Sequence, residues 1–265
     1  MNLPFNRLVG TAAFSAMLLV APAAIAVEAG VIDGDRNVEH LAQLGRDLRE
    51  LLRPEIGFPV EYVSAWQGAV DEAFAPLLLE ADYVQALGTG LTQDARTAAI
   101  DHFQSSLAIE VEAQLTKIDP DNSLTFEEEL EKAAEMIEAA PAELNALYVE
   151  LFELQQGPDV ANAVMDAYYR MMKTGAEPVI GAEAADEWVA GIGSTLRDQY
   201  VEGNFASTAA GYSTVDPDLL RELADVMADP DFISYSLQAS QAFAHAIDAA
   251  ADRLAVAYPR AIAEL

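Results

Sequence analysis

The chain has 265 residues, 44 of them acidic against 14 basic, with three histidines, no cysteine and 52% apolar residues. A net charge of −30 repels phosphate backbones and anionic headgroups, which argues against nucleic-acid binding; the lack of cysteine excludes a catalytic thiol, a thiolate metal site and any disulfide. The apolar fraction is too high for a disordered acidic chain, so the charge belongs to a folded surface, where it serves solubility or draws a cationic partner or divalent ions.

Residues 1–26, "MNLPFNRLVGTAAFSAMLLVAPAAIA", carry one positive charge at Arg7, an apolar run through Val20, and small residues at Ala24 and Ala26. That order is a signal peptide's charged region, apolar region and cleavage site, and its apolar run is too short and too rich in alanine for a membrane span. Cleavage near Ala26 is expected to release a periplasmic or secreted protein with no transmembrane anchor. The remaining 239 residues would carry a charge of −31, since Arg7 is the only charged residue of the leader.

Apolar residues then recur at steps of three and four almost throughout, which predicts an all-α helical bundle. In "NVEHLAQLGRDLRELLR", Val38, Leu41, Leu44, Leu48 and Leu51 line one face, with His40 on the other side. Pro76 marks a break between two helices, and Thr92 caps the next with Asp94 in its first turn. "PAELNALYVELFEL" and "PDVANAVMDAYYRMMKTG" each open with a proline suited to a helix start, and Gly175 reads as a helix stop. Asp216, Pro217 and Asp218 form the strongest start signal in the chain. The last helix, near residues 231–257, is expected to bury a stripe of Ile233, Leu237, Ala244, Ile247, Ala251 and Leu254, with alanines permitting close packing.

The pattern suggests two related helical modules in tandem, residues 27–120 and 121–265, joined by a capped turn at 117–128. Trp66 precedes Thr92 by 26 residues and Trp188 precedes Asp216 by 28; each is followed by a helical run, a Gly-containing turn and a capped helix. The two capped stretches are "LTQDARTAAIDHFQSSLAIEV", with His102, Phe103, Ser105 and Ser106, and "VDPDLLRELADVMADPDFISY", with Asp229 and Pro230. Here the chain resembles a family of exported bacterial proteins catalogued as domain of unknown function 2059. That family's hallmark is a capped helix running into an aromatic pair, a small-residue or proline break and a glycine; the glycine position is Ala108 in one stretch and Phe232 in the other. The resemblance implies a small exported helical domain and assigns no catalytic residue.

The closest approach to a chemical motif is "KIDPDNSLTFEEELEK", residues 117–132. Counted as a calcium loop from Lys117, it offers Asp119, Asp121, Ser123 and Glu128 as oxygen ligands for calcium. Lys117 then occupies the first ligand position, where an ammonium opposes the ion's charge. The rival reading is a capping box, in which Thr125 and Glu128 satisfy backbone N–H groups at a helix start and Asp119 and Asp121 are turn formers beside Pro120. It uses every residue and needs no metal.

Three histidines, His40, His102 and His245, are too scattered for a zinc pair. His245 shares a helical stripe with Gln241, Asp248 and Asp252, read as a solvated polar face ahead of a metal bridge between His245 and Asp248. "GIGST" near Gly191 lacks the third glycine of a dinucleotide fingerprint, and no nucleophile elbow occurs. Met165, Tyr168, Tyr169, Met171 and Met172 either line an adaptable groove for a peptide or lipid chain or, as is favoured, divide between core and surface. The sequence thus predicts a soluble, non-catalytic binding or envelope-associated module without a cofactor, whose partner is a protein, a peptide or an apolar ligand. The alternatives are a calcium-responsive protein using the 117–128 loop and an enzyme whose carboxylates assemble only in three dimensions.

Overall fold

Helix starts in this chain are written in proline and in short oxygen-bearing side chains, because a helix leaves its first N–H groups without internal acceptors. Thr92 Oγ1 accepts from the Ala95 amide at 3.2 Å, Asp216 Oδ1 from the Asp218 amide at 2.8 Å, and Asp229 Oδ1 from the Asp231 amide at 2.9 Å. Pro76, Pro217 and Pro230 each take the first helical position, where the missing N–H costs nothing. The computed structural model describes residue 31 and residues 37–54, 57–115 and 126–265, without the side chains of 126–132, 192 and 194.

Among the described residues all regular structure is helical: α1 (Asn37–Arg49), α2 (Val60–Ala73), α3 (Pro76–Gly90), α4 (Gln93–Phe103), α5 (Ser106–Leu115), α6 (Phe126–Ala139), α7 (Ala142–Leu154), α8 (Gly157–Ile180), α9 (Ala182–Tyr212), α10 (Pro217–Met227) and α11 (Pro230–Ala263). The fold is therefore an all-α bundle, as the spacing predicts. No helix among the described residues is long and apolar enough to cross a membrane.

The predicted face of α1 is buried through Leu41, Leu44 and Leu48, with Leu51 buried just past the helix end. Trp66 of α2, fully buried, donates its indole N–H to the Leu48 carbonyl at 2.8 Å. That carbonyl lies in the last turn of α1 and also accepts from the Leu51 amide at 3.0 Å, so the indole docks α2 by a second bond to a helix end.

The bundle is organised around α11, which packs against α1, α2, α3, α4, α8 and α10. A helix with so many neighbours must be thin, and Ala239, Ala242, Ala246 and Ala250 are all buried along it. This changes the predicted stripe. Ile247, Ala251 and Leu254 are buried, but Ile233 and Ala244 are only half-buried and Leu237 is exposed; Phe232, Tyr235 and Phe243 face the core instead. Spacing along one face misplaces the first half of α11 because that half is enclosed from several directions. The buried cluster runs without interruption from Val31 to Tyr258, across the residue-120 boundary.

Gly175 corrects a second expectation. It lies inside α8, buried, and the helix continues to Ile180 before Gly181, with φ +84°, turns the chain into α9. Gly181 is the stop, because that left-handed φ is cheap only for glycine. Gly175 is instead a point of close approach: an added Cβ would stand 3.2 Å from Cζ3 of Trp66 and 3.3 Å from both terminal carbons of Leu52.

The two capped stretches share one register. Thr92 and Asp216 stand 124 positions apart, as do the caps that open the following helices, Ser105 and Asp229. Buried Ala108, Val111 and Leu115 of α5 find buried Phe232, Tyr235 and Ala239 of α11 at the same offset. In space α4 packs on α11 and α10 packs on α5, so the first helix of each stretch lies on the second helix of the other. The tryptophans do not share this relation: Trp66 is buried, Trp188 half-buried, and 122 positions separate them.

Candidate functional site

Each capped stretch is a helix, a break and a second helix. Between α4 and α5 the chain turns because Ser105 Oγ accepts from the Ala108 amide at 3.0 Å; between α10 and α11 Asp229 plays that part. Since α4 lies on α11 and α10 on α5, the two breaks face each other. Between them opens a cleft of about 720 Å³.

Its walls are acidic. Asp94 and Asp101 come from α4, Asp225 from α10, and Asp229 and Asp231 from the start of α11; no lysine or arginine lines it among the described residues. Three of these acids have a local reason to be where they are. Asp94 and Asp231 sit in first turns and Asp229 is a cap, all at the positive end of a helix dipole. Asp101 and Asp225 do not. Each lies in the last turn of its helix, at the negative end of the dipole, and the two are separated by the same 124 positions as the caps. A carboxylate there opposes the dipole by about 0.3–1 kcal/mol. Neither makes an ion pair among the described residues, so fold stability does not explain them.

Below the acids lies His102. It is 3% exposed, its ring stands edge-on to Phe232 at 4.9 Å between centroids, and neither Nδ1 nor Nε2 has a hydrogen-bond partner among the described residues. Burial lowers its pKa to about 4, so the imidazole is neutral at neutral pH, with one donor and one acceptor both unspent. Leaving such groups unsatisfied costs about 1–3 kcal/mol each. Leu107, Val226 and Phe232 give the lining its larger apolar side chains, and Val226 is 37% exposed.

Among the residues proposed as calcium ligands from the sequence, Asp119, Asp121 and Ser123 lie outside the described residues, as does Thr125. Glu128 falls at the third position of α6, within a described backbone but with its side chain outside the description. Among the described residues no three His, Asp or Glu side chains converge closely enough to hold a metal ion. Asp248 and Asp252, weighed with His245, lie exposed on α11 and both accept from Arg170 of α8, the Asp252 bond at 3.0 Å, so they tie two helices together. Met165, Met171 and Met172 are buried in the core, while half-buried Tyr169 donates to the Gly193 carbonyl inside α9 and lies 5.5 Å from the Arg197 guanidinium. "GIGST" is part of the same helix.

Reading the chain residue by residue misses the cleft. The signal was nonetheless present: laying Thr92 on Asp216 brings Asp101 onto Asp225, two acids in the last turns of equal-length helices. Compared with protein-family models, with curated proteins and with solved structures, the chain matches none. The two capped stretches quoted from the sequence are the ones that line the cleft.

Proposed function

We propose that the chain is an exported, non-catalytic binding protein, acting in the periplasm, at the envelope or outside the cell, and that its acidic cleft receives a cationic ligand. The observation that carries this reading is the pair Asp101 and Asp225. Two carboxylates placed against their helix dipoles, one on each wall of one cleft and neither paired with a base among the described residues, gain a favourable partner when a cation enters. The leader at residues 1–26 supports export, and the 124-residue register supports two related modules, each supplying one wall. Binding is favoured over catalysis because His102, the cleft's one imidazole, has no carboxylate on either ring nitrogen to orient it as a general base.

The test is thermal unfolding of the purified protein with cationic, neutral and anionic solutes at constant ionic strength. Cations should raise the midpoint, and the Asp101→Asn/Asp225→Asn variant should lose most of that rise. Equal midpoints with all three solute classes would overturn the reading.

A further inference from the structure

We propose that the cation taken by the cleft is an aliphatic polyamine: a methylene chain carrying ammonium groups spaced along it. The proposal rests on the cleft being a cation site, and the closing experiment separates failure of the two.

The first argument is the spread of charge. The five carboxylates come from three helices, and among the described residues no three acidic or histidine side chains converge tightly enough to surround a metal ion. A point dication would satisfy only part of such a site and keep most of its water. An extended cation meets the carboxylates one at a time, an ammonium to each wall.

The second is the surface between the acids. Val226 follows Asp225 in the last turn of α10 and is 37% exposed, and Leu107 and Phe232 lie across the same cleft. A methylene spacer covers such apolar surface and takes it out of contact with water. A hydrated metal ion leaves it wet.

The third observation is independent of the acids. His102 lines the cleft while buried, with both ring nitrogens unpartnered. A neutral imidazole offers an acceptor, and an amine N–H entering between the two breaks supplies the missing donor. The volume of about 720 Å³ suits a small molecule. Lysine side chains of a peptide share the ammonium chemistry, and the test includes them as a separate arm.

The experiment is titration calorimetry of the purified protein with 1,4-diaminobutane, spermidine, magnesium chloride and trilysine at one ionic strength. Diaminobutane and magnesium carry equal charge, so their comparison isolates the spacer. We expect diaminobutane to bind at least tenfold more tightly than magnesium, with spermidine tighter still and trilysine weaker than spermidine. Asp101→Asn/Asp225→Asn should lose at least tenfold for both amines, with helicity by circular dichroism unchanged. Val226→Ser should weaken the amines and leave magnesium unmoved. Equal affinity for diaminobutane and magnesium, or trilysine binding more tightly than spermidine, would sink the polyamine while leaving a cation site. No binding by any of the four would remove the cation site as well.

Discussion

Gly175 of α8 and Trp66 of α2 meet where the glycine has no side chain: a Cβ at position 175 would approach Cζ3 of the indole to 3.2 Å. The indole reaches α8 at that glycine, and the same indole donates to the Leu48 carbonyl. Gly175→Ala trades about 1 kcal/mol of helix propensity against that crowding, so a larger side chain is the sharper probe. Gly175→Val should lower stability by roughly 2–3 kcal/mol, because the added side chain crowds Trp66 and Leu52 in a packed core. Urea unfolding of the two proteins checks this; equal midpoints would mean that the indole moves aside freely.

The acids at the helix ends should reveal themselves as a stability cost. Asp101→Asn and Asp225→Asn each remove a negative charge from the last turn of a helix without breaking an ion pair among the described residues. Each should therefore stabilise the ligand-free protein by about 0.3–1 kcal/mol at low salt, and the gain should shrink as salt screens the dipole. Thermal melts at two ionic strengths measure it. Destabilisation by either substitution would show that the carboxylate supports the fold.

His102 should make stability sensitive to acid, and the sign follows from its burial. The folded protein holds the imidazole at a pKa of about 4, against 6.5 when free, so between these values only the unfolded chain takes up the proton. The stabilising contribution is complete above pH 6.5 and is lost as pH falls towards 4, amounting to roughly 3 kcal/mol across the window. His102→Phe keeps an aromatic ring against Phe232 and removes the titration. The two proteins differ at this side chain alone, so the difference between their pH profiles isolates His102. Parallel profiles between pH 7 and 4.5 would contradict a buried neutral imidazole.

A metal-free turn at 117–128 predicts a null result with calcium. The thermal midpoint should be the same in chelator and in calcium at the level that fills a sensor loop, roughly 10 µM. Asp119→Asn/Asp121→Asn should melt like its parent under both conditions. A calcium-dependent rise abolished by that double substitution would restore the loop as a calcium site.

The fold class was legible in the sequence because helices announce themselves locally. Thr92, Asp216 and Pro217 do their work within three or four residues, so their roles could be read without knowing what surrounds them. Leu41, Leu44 and Leu48 were legible for the same reason, since α1 presents one face to one core. Gly175 was misread because a stop and a close approach ask for the same residue, and only Trp66 and Leu52, more than a hundred positions away, distinguish them. The stripe on α11 failed in its first half because a helix enclosed on several sides has no single buried face to announce.

By itself, the sequence determined where helices begin, the acidity of the surface and the spacing of the two capped stretches, all properties carried by short runs of neighbours. Tertiary structure alone decided that the α4–α5 and α10–α11 breaks face each other, that Asp101 and Asp225 share one cleft, and that His102 lines it with no hydrogen-bond partner among the described residues. The physical reason is that apolar burial is non-directional along the chain: an amphipathic helix specifies that it must be covered, while the covering helix is chosen by the packing of the whole core.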